Sequence, residues 1–168
     1  MNISTDTIAV LKNFSDINQN ILIKPGNVVQ TISTMKNILA EAEITEKFDS
    51  EFAIYDLPEF LRSVELFDKP QLKFNGESNV KIESGAQSIK YFFADKSVIV
   101  APKKSINMPD SLVIGETDKE FSAFFKTENF KQIVDDYDVA ISKQKISHFV
   151  NRNKSIQYWI ALEPDSEF

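Results

Sequence analysis

The chain begins with apolar side chains at helical spacing. Ser4 or Thr5 stands where an N-cap is expected, and Asp6 follows in the first turn. The apolar positions after it are Val10, Leu11, Phe14 and Ile17. Because these positions share one face of an α-helix, they predict an amphipathic helix whose apolar side packs inward.

Three extended patterns follow this helix. The β-branched runs Ile21–Ile23 and Val28–Ile32 flank Lys24–Asn27, whose Pro-Gly-Asn sequence predicts a hairpin between them. A third strand is predicted where apolar and acidic positions alternate. Its apolar side consists of Ile38, Ala40, Ala42 and Ile44, and its acidic side of Glu41 and Glu43. The first unit is therefore predicted to be one helix and three strands.

A second unit begins with a predicted strand at Glu51–Tyr55. Asp56 is a candidate N-cap, with Pro58 in the first turn and Glu59 three residues beyond the cap. The apolar face of this second helix consists of Phe60, Leu61, Val64 and Phe67. Three more strands are predicted at Gln71–Phe74, Val80–Ile82 and Ile89–Phe93, with turns at Asn75-Gly76 and Ser84-Gly85.

A third unit repeats the second after an aperiodic connector. Residues 98–110 contain two prolines and no apolar period, which predicts an extended crossing segment. In the third unit we expect a strand at 120–124, a helix capped by Thr127 with apolar Phe130, Ile133 and Val134, and strands at 137–142, 145–150 and 156–162. Ile89–Ala94 resembles Ile156–Ala161, and Glu51–Ala53 resembles Glu120–Ser122. Repeated βαβββ units predict an α+β fold.

Composition narrows the function classes. The 168 residues are 42% apolar and 26% charged, which is typical of a folded globular protein, and the absence of cysteine excludes disulfides and thiolate metal sites. The net charge of −6 disfavours a broadly basic nucleic-acid-coating surface, although it leaves room for one small basic face. No apolar run approaches the ~20 residues of a membrane span, and no signal segment precedes the first helix. A soluble, intracellular protein is expected.

Catalytic patterns are sparse. The single histidine, His148, lies in a predicted strand with no adjacent nucleophile pattern, which is typical of a surface histidine. Asp135, Asp136 and Asp138 are candidate ligands for a hard cation, but a solvated acidic turn after a helix is the favoured explanation. We therefore expect neither an enzyme nor a cofactor or bound metal. A metal-dependent enzyme that uses these aspartates is kept as an alternative.

Four stretches together resemble a known family. They are Leu11–Phe14, Phe52–Leu57, Val98–Pro102 and the C-terminal Tyr158–Ser166. In this order they resemble the sliding clamp, or DNA polymerase processivity factor, of T-even-like myoviruses and cyanophages. Each stretch alone is weakly specific, but the matches run in order over essentially the whole chain.

The resemblance implies a DNA-clamp fold, with helices of the repeated units on one face and antiparallel sheets on the other. It implies a homotrimeric ring, opened by an ATP-driven clamp loader, that encircles double-stranded DNA and tethers the replicative polymerase. Contacts with phosphates are then weak and independent of sequence. Other replication or late-transcription partners, and a location in the cytoplasm of an infected bacterial host, are also implied.

The resemblance also nominates two sets of functional residues. Cations on or beside the three predicted helices are the DNA-facing candidates: Lys12, Arg62, Lys126 and Lys131. Apolar residues of the connector and the chain's end are candidates for a groove that binds the polymerase C-terminal peptide: Val98, Val100, Pro102, Leu162 and Pro164. The alternative for the cations is simple solvation, and for the apolar residues ordinary packing.

The chain departs from the family in its number of units. Two domains of two units each are implied, but only three units are present. We therefore expect a first clamp domain at residues 1–96, an interdomain connector at 97–113 and an incomplete second domain at 114–168. The third unit then leaves a half-core to be covered. The alternative function is a truncated clamp relative that acts as a protein-interaction module without ring closure.

Overall fold

The computed structural model of the chain describes residues 1–76, 78–103, 111–113, 137–142, 146–151 and 155–161. In these residues the helices are α1 (Thr5–Ile17) and α2 (Leu57–Glu65), and Lys96–Val98 forms one 3-10 turn. The strands are β1 (Ile21–Ile23), β2 (Gly26–Ile32), β3 (Ile38–Phe48), β4 (Phe52–Ile54), β5 (Gln71–Asn75), β6 (Asn79–Ser84), β7 (Gln87–Phe92), β8 (Ser111–Val113), β9 (Tyr137–Ser142), β10 (Ile146–Asn151) and β11 (Ile156–Ala161). The α+β class predicted from the sequence is confirmed.

Helix α1 begins where the sequence predicts. The Ser4 hydroxyl accepts a hydrogen bond from the Thr7 backbone N–H at 3.2 Å, so Ser4 is the N-cap. Leu11 and Phe14 are buried in the core. A feature that the sequence does not reveal is Glu46 of β3, whose carboxylate accepts bonds from the Ser4 N–H at 2.5 Å and from the Thr7 hydroxyl. Residues distant in sequence thus complete this helix terminus.

Helix α2 is also capped as predicted, because Asp56 Oδ1 accepts a bond from the Glu59 N–H at 2.8 Å. The helix ends at Glu65, two residues before the end of its predicted apolar stripe. Phe67 therefore lies beyond the helix, although it still packs against the core. The buried face consists of Leu57, Phe60, Leu61 and Val64.

The predicted hairpin between the first two strands is wrong. β1 pairs antiparallel with β4, whereas β2 pairs with β3, so residues 24–27 join strands of different sheets. Ile21 and Ile23 are buried opposite Ile54 and Phe52, which are buried as well. Pairing between the first two units therefore buries β1 on its apolar side, an arrangement that a local hairpin signal does not encode.

Two antiparallel meanders account for the repeat found in the sequence. The first is the three-stranded sheet β5–β6–β7, and the second is β9–β10–β11 within a six-stranded sheet of order β2-β3-β11-β10-β9-β8. The predicted bounds of the last three strands are correct to within one residue. The strand at 120–124 and the helix capped by Thr127 lie outside the described residues.

One strand pairing joins the third unit to the first. β11 runs antiparallel to β3, with Trp159 opposite Leu39 and Ile156 opposite Ala42. Both side chains of the first pair are buried. The last strands thus extend the sheet of the first unit, and β3 covers the edge that β11 would otherwise expose.

Candidate functional site

The two described helices lie side by side and expose the first DNA-facing candidates. Lys12 of α1 and Glu65 of α2 form an ion pair, with Nζ and Oε1 2.5 Å apart. Both side chains are about half exposed, so the pair adds little stability. It does orient Lys12 toward α2, and it neutralises much of the charge that Lys12 would present to a phosphate.

Arg62 is exposed on α2 and has no acidic partner within ion-pair distance among the described residues. Its helical neighbours Glu59 and Glu65 lie one turn away on either side and are also exposed. With Lys12, Asp6 and Asp16 of α1, the described helices expose two cations and four carboxylates. This surface is not positively charged overall. Lys126 and Lys131 lie outside the described residues.

The connector is held against the loop that follows α1. The Asn20 side-chain oxygen accepts a bond from the Val100 N–H at 3.1 Å. The Asn18 amide donates to the Ile32 carbonyl at 2.7 Å and to the Val100 carbonyl at 3.4 Å. One buried amide thus places the connector beside the end of β2.

The predicted groove residues of the connector differ in accessibility. Val98 closes the 3-10 turn that Asp95 caps, and 53% of it is exposed. Val100 is half-buried, and Pro102 is buried. Leu162 and Pro164 lie outside the described residues. Among the described candidates, Val98 therefore offers the most apolar surface to a partner.

Sequence reasoning missed an apolar row on the sheet face opposite α1. The register places Ile32 of β2, Leu39 of β3 and Trp159 of β11 side by side. Successive residues of a strand point to opposite faces, which puts Trp159 on the face opposite Tyr158. The alternation along β11 therefore indicates one member of this row. The pairing of β3 with β11, which completes the row, has no local signal. The row ends where Asn18 holds Val100, so connector and sheet meet there.

His148 continues this row and serves a structural role in the described contacts. Its ring stacks on Trp159 with centroids 4.8 Å apart, and its Nε2 lies 3.0 Å from Gln157 Oε1. Burial lowers the pKa of His148, and the hydrogen bond with Gln157 opposes that shift only in part. Gln157 in turn donates to Glu41 at 3.5 Å. This polar chain links β10, β11 and β3.

The described residues offer little to hold a metal ion. Within them, no group of three or more histidine, aspartate or glutamate side chains is arranged for coordination. Asp135 and Asp136 lie outside the described residues, and so does the side chain of Asp138. In a separate check, neither helix in the described part of the chain has the length and apolar character needed to cross a membrane.

The sequence is similar to known proteins of one kind. The profile of the family described as DNA polymerase processivity factor matches residues 4–101. The sliding clamp of Escherichia phage RB69 is 38% identical over 121 residues, which cover 71% of this chain and 53% of the phage protein. The chain thus spans about half the length of this relative.

Two further comparisons concern the whole chain. The sliding clamp of Vibrio phage KVP40 is 25% identical over 221 residues, covering 97% of this chain and 99% of that protein. Because this chain has 168 residues, at least 221 − 168 = 53 alignment positions contain no residue of it. A solved structure of the C-terminal region of FEN-1 bound to A. fulgidus PCNA is similar in fold, with a TM-score of 0.60 at 12% identity over 95% of this chain and 96% of the other.

Proposed function

The chain belongs to the family of DNA polymerase processivity factors, and we propose that it acts as a sliding clamp. In this proposal it encircles double-stranded DNA, without sequence preference, and tethers the replicative DNA polymerase. It is a non-catalytic accessory factor that a clamp-loader ATPase places on DNA in the cytoplasm of an infected bacterial host. Other replication or late-transcription proteins use it as a platform.

The observation that carries this proposal is the extent of the family match. Residues 4–101 contain both described helices, the first meander and the start of the connector. The domain organisation proposed with it is a first clamp domain at 1–96, a connector at 97–113 and a shortened second domain at 114–168. The pairing of β11 with β3 supports it, because this pairing attaches the last strands to the first domain.

The charge of the described helices favours topological retention over tight DNA binding. Two exposed cations among four carboxylates attract phosphates weakly. A closed ring needs no more than weak contacts, since it cannot dissociate from circular DNA without opening. We propose that Arg62, Lys12, Lys126 and Lys131 supply those contacts, with Arg62 the stronger of the two described residues because it has no ion pair there.

The proposed site for the polymerase C-terminal peptide is where the connector meets the sheet. Val98 offers exposed apolar surface, and Asn18 and Asn20 hold Val100 beside the end of the apolar row. Pro102, Leu162 and Pro164 complete the proposed groove. An apolar peptide segment docked there would bury Val98 and replace solvent along the connector.

A second function is favoured by the shortened alignment. At least 53 positions of the alignment with the Vibrio phage protein have no residue of this chain, which is about the size of one repeated unit. In this second function, the chain lacks a ring contact and is a protein-interaction module that binds the polymerase peptide without encircling DNA. Homotrimer formation separates the two functions.

The proposal is tested by primer extension on a circular primed template with polymerase and loader from a phage that encodes such a clamp. The clamp function predicts longer products with the chain than without it, and a trimer mass by light scattering. The interaction module predicts peptide binding, a monomer mass and unchanged product length. A monomer that neither binds the peptide nor lengthens products contradicts both functions.

A further inference from the structure

A row of three lysines crosses the outer face of the first meander. In the β5–β6–β7 register, Lys73 lies opposite Lys81, and Lys81 lies opposite Lys90. Neighbouring strands are about 4.8 Å apart, so the row crosses the sheet in about 10 Å. We propose that this row, with the adjacent Phe92, is a docking surface for an acidic helical segment of a partner protein.

The face that carries the row lies opposite the packed helix. Residues that alternate with the lysines on the same strands, such as Ile82 and Tyr91, point inward. The Tyr91 ring contacts Phe60 of α2, with centroids 5.1 Å apart, and its hydroxyl donates to the Asp56 carbonyl at 3.1 Å. The lysines therefore project from the other side of the sheet, away from the described helices.

The row concentrates positive charge in an acidic protein. Glu83 is the only carboxylate that the described residues of these three strands place on this face. Its carboxylate forms ion pairs with Lys73 and with Lys81, and the Lys81 Nζ lies 2.7 Å from Glu83 Oε2. These partners lower the pKa of Glu83 to about 2, so it stays ionised. The three lysines and this one carboxylate give the face a local charge of +2, whereas the net charge of the whole chain is −6.

Lys90 and Phe92 lie at one end of the row, and both side chains are exposed. Lys90 has no carboxylate partner among the described residues, and its Nζ lies 5.7 Å from the centroid of the Phe92 ring. Phe92 is 67% exposed. β7 is also the edge strand of its sheet in the described structure. An unpaired cation beside an exposed aromatic ring is suited to a carboxylate next to an apolar side chain.

The spacing and location of the row favour an acidic helix over DNA. Acidic residues three or four positions apart on a helix have Cβ atoms about 5–6 Å apart, close to the spacing between the strands that carry the lysines. A DNA-binding module buries at least about 600 Å² of mostly basic surface, far more than a row about 10 Å long provides. This surface is independent of ring closure, because it needs only the first meander.

The test is fluorescence anisotropy with a labelled helical peptide that has glutamates at every fourth position and one phenylalanine beyond the last. The row variant is K73Q/K81Q/K90Q. Its matched control is K24Q/K36Q/K47Q, which removes three exposed lysines elsewhere and changes the net charge equally. We expect the row variant to bind about tenfold more weakly than the wild-type chain, the control to bind like wild type, and binding to weaken at high salt.

Three results would overturn the proposal: no binding of the glutamate peptide by the wild-type chain, equal loss in the row and control variants, or equal binding of a peptide with glutamine in place of glutamate. Tighter row-dependent binding of a short DNA duplex would assign the row to nucleic acid and overturn it too. If the triple variant unfolds, Lys90→Gln replaces it, since Lys90 has no ion pair in the described structure. That single change must still weaken peptide binding.

Discussion

The two meanders have the same strand order, but different contacts attach them to the rest of the protein. In β5–β6–β7, Val80 and Ile82 are fully buried, and Tyr91 packs against Phe60 of α2. In β9–β10–β11, β11 pairs with β3 and the Tyr158 hydroxyl donates to Asn13 Oδ1 of α1 at 2.7 Å. Phe149 and Trp159 are buried there, whereas the inward-facing Ile156 and Tyr158 of β11 are half-buried. Within the described residues, the inward-facing apolar side chains of β6 in the first meander are fully buried beneath α2, and those of β11 are half-buried beside β3.

The depth to which inward-facing side chains are buried differs between the two meanders. Burial of a large apolar side chain contributes about 1.5–3 kcal/mol, whereas a net backbone hydrogen bond contributes about 1 kcal/mol. The first meander is therefore expected to be the more stable region and the second to open first.

The largest expected effect is a truncation inside the first meander. Ile82→Ala removes a fully buried side chain beneath α2 and should lower the free energy of unfolding by about 2–5 kcal/mol. Ile156→Ala, on the inward face of the second meander, should cost only about 1–2 kcal/mol because Ile156 is half-buried. Urea denaturation followed by circular dichroism measures both. Equal losses would mean that the second meander is as deeply buried as the first.

The next effect concerns the edge pairing itself. The Ala161 N–H donates to the Asn37 carbonyl, so alternate residues of β11, including Gln157, direct their N–H toward β3. Gln157→Pro removes that donor and should destabilise the second meander by about 1–3 kcal/mol while leaving the first intact. Trp159, the single tryptophan of the chain, reports the change by fluorescence.

Gln157→Ala is the control for this substitution, because it removes the side-chain bonds to His148 and Glu41 but keeps the backbone donor. Hydrogen exchange should then remain slow in β11. If the proline variant also accelerates exchange in β5–β7, the two meanders form one cooperative unit and the contrast between them fails.

A smaller effect is expected at the helix cap that β3 supplies to α1. Burial acts to raise the pKa of Glu46, but hydrogen bonds from Thr7 and Ser4 outweigh it and hold the pKa below its ordinary value of 4.5. Because the folded pKa is lowered, the stabilisation is complete above about 4.5 and is lost as the pH falls through the folded value. Glu46→Gln should cost about 1 kcal/mol at neutral pH.

The pH dependence provides the check on this cap. The stability gap between the wild-type chain and Glu46→Gln, measured by urea denaturation, should close in acid. A gap of the same size at acidic and neutral pH would show that the lost contact is steric and not due to the carboxylate charge.

The smallest effect should appear in the second meander alone. Burial lowers the pKa of His148 below its ordinary value of 6.5, so protonation favours the unfolded state. Stability is full above about 6.5 and falls as the pH drops below it. Trp159 fluorescence during urea denaturation should detect this loss, and His148→Phe, which keeps an aromatic ring against Trp159, should remove it. A loss that persists in the variant would assign the pH dependence to another group.

Local features of the fold were predictable, and non-local pairings were not. Ser4 and Asp56 identify their helix starts because a cap depends on a few adjacent residues. The hairpin at 24–27 was mispredicted because the burial of β1 against β4 decides its pairing. The candidate site follows the same division. Val98 and Arg62 are nominated by the family resemblance, and their roles stay predictions. Trp159 reaches Leu39 only through the pairing of β3 with β11, which no local pattern indicates.

The central claim, that the chain acts as a sliding clamp, is tested most directly by retention on DNA. The chain is loaded with a clamp loader and ATP onto nicked circular DNA, and the DNA is isolated by gel filtration at high salt. We expect the chain to stay with the circular DNA and to be lost after a restriction enzyme linearises it, because retention is topological. Equal loss from circular and linear DNA would show that the chain does not act as a sliding clamp.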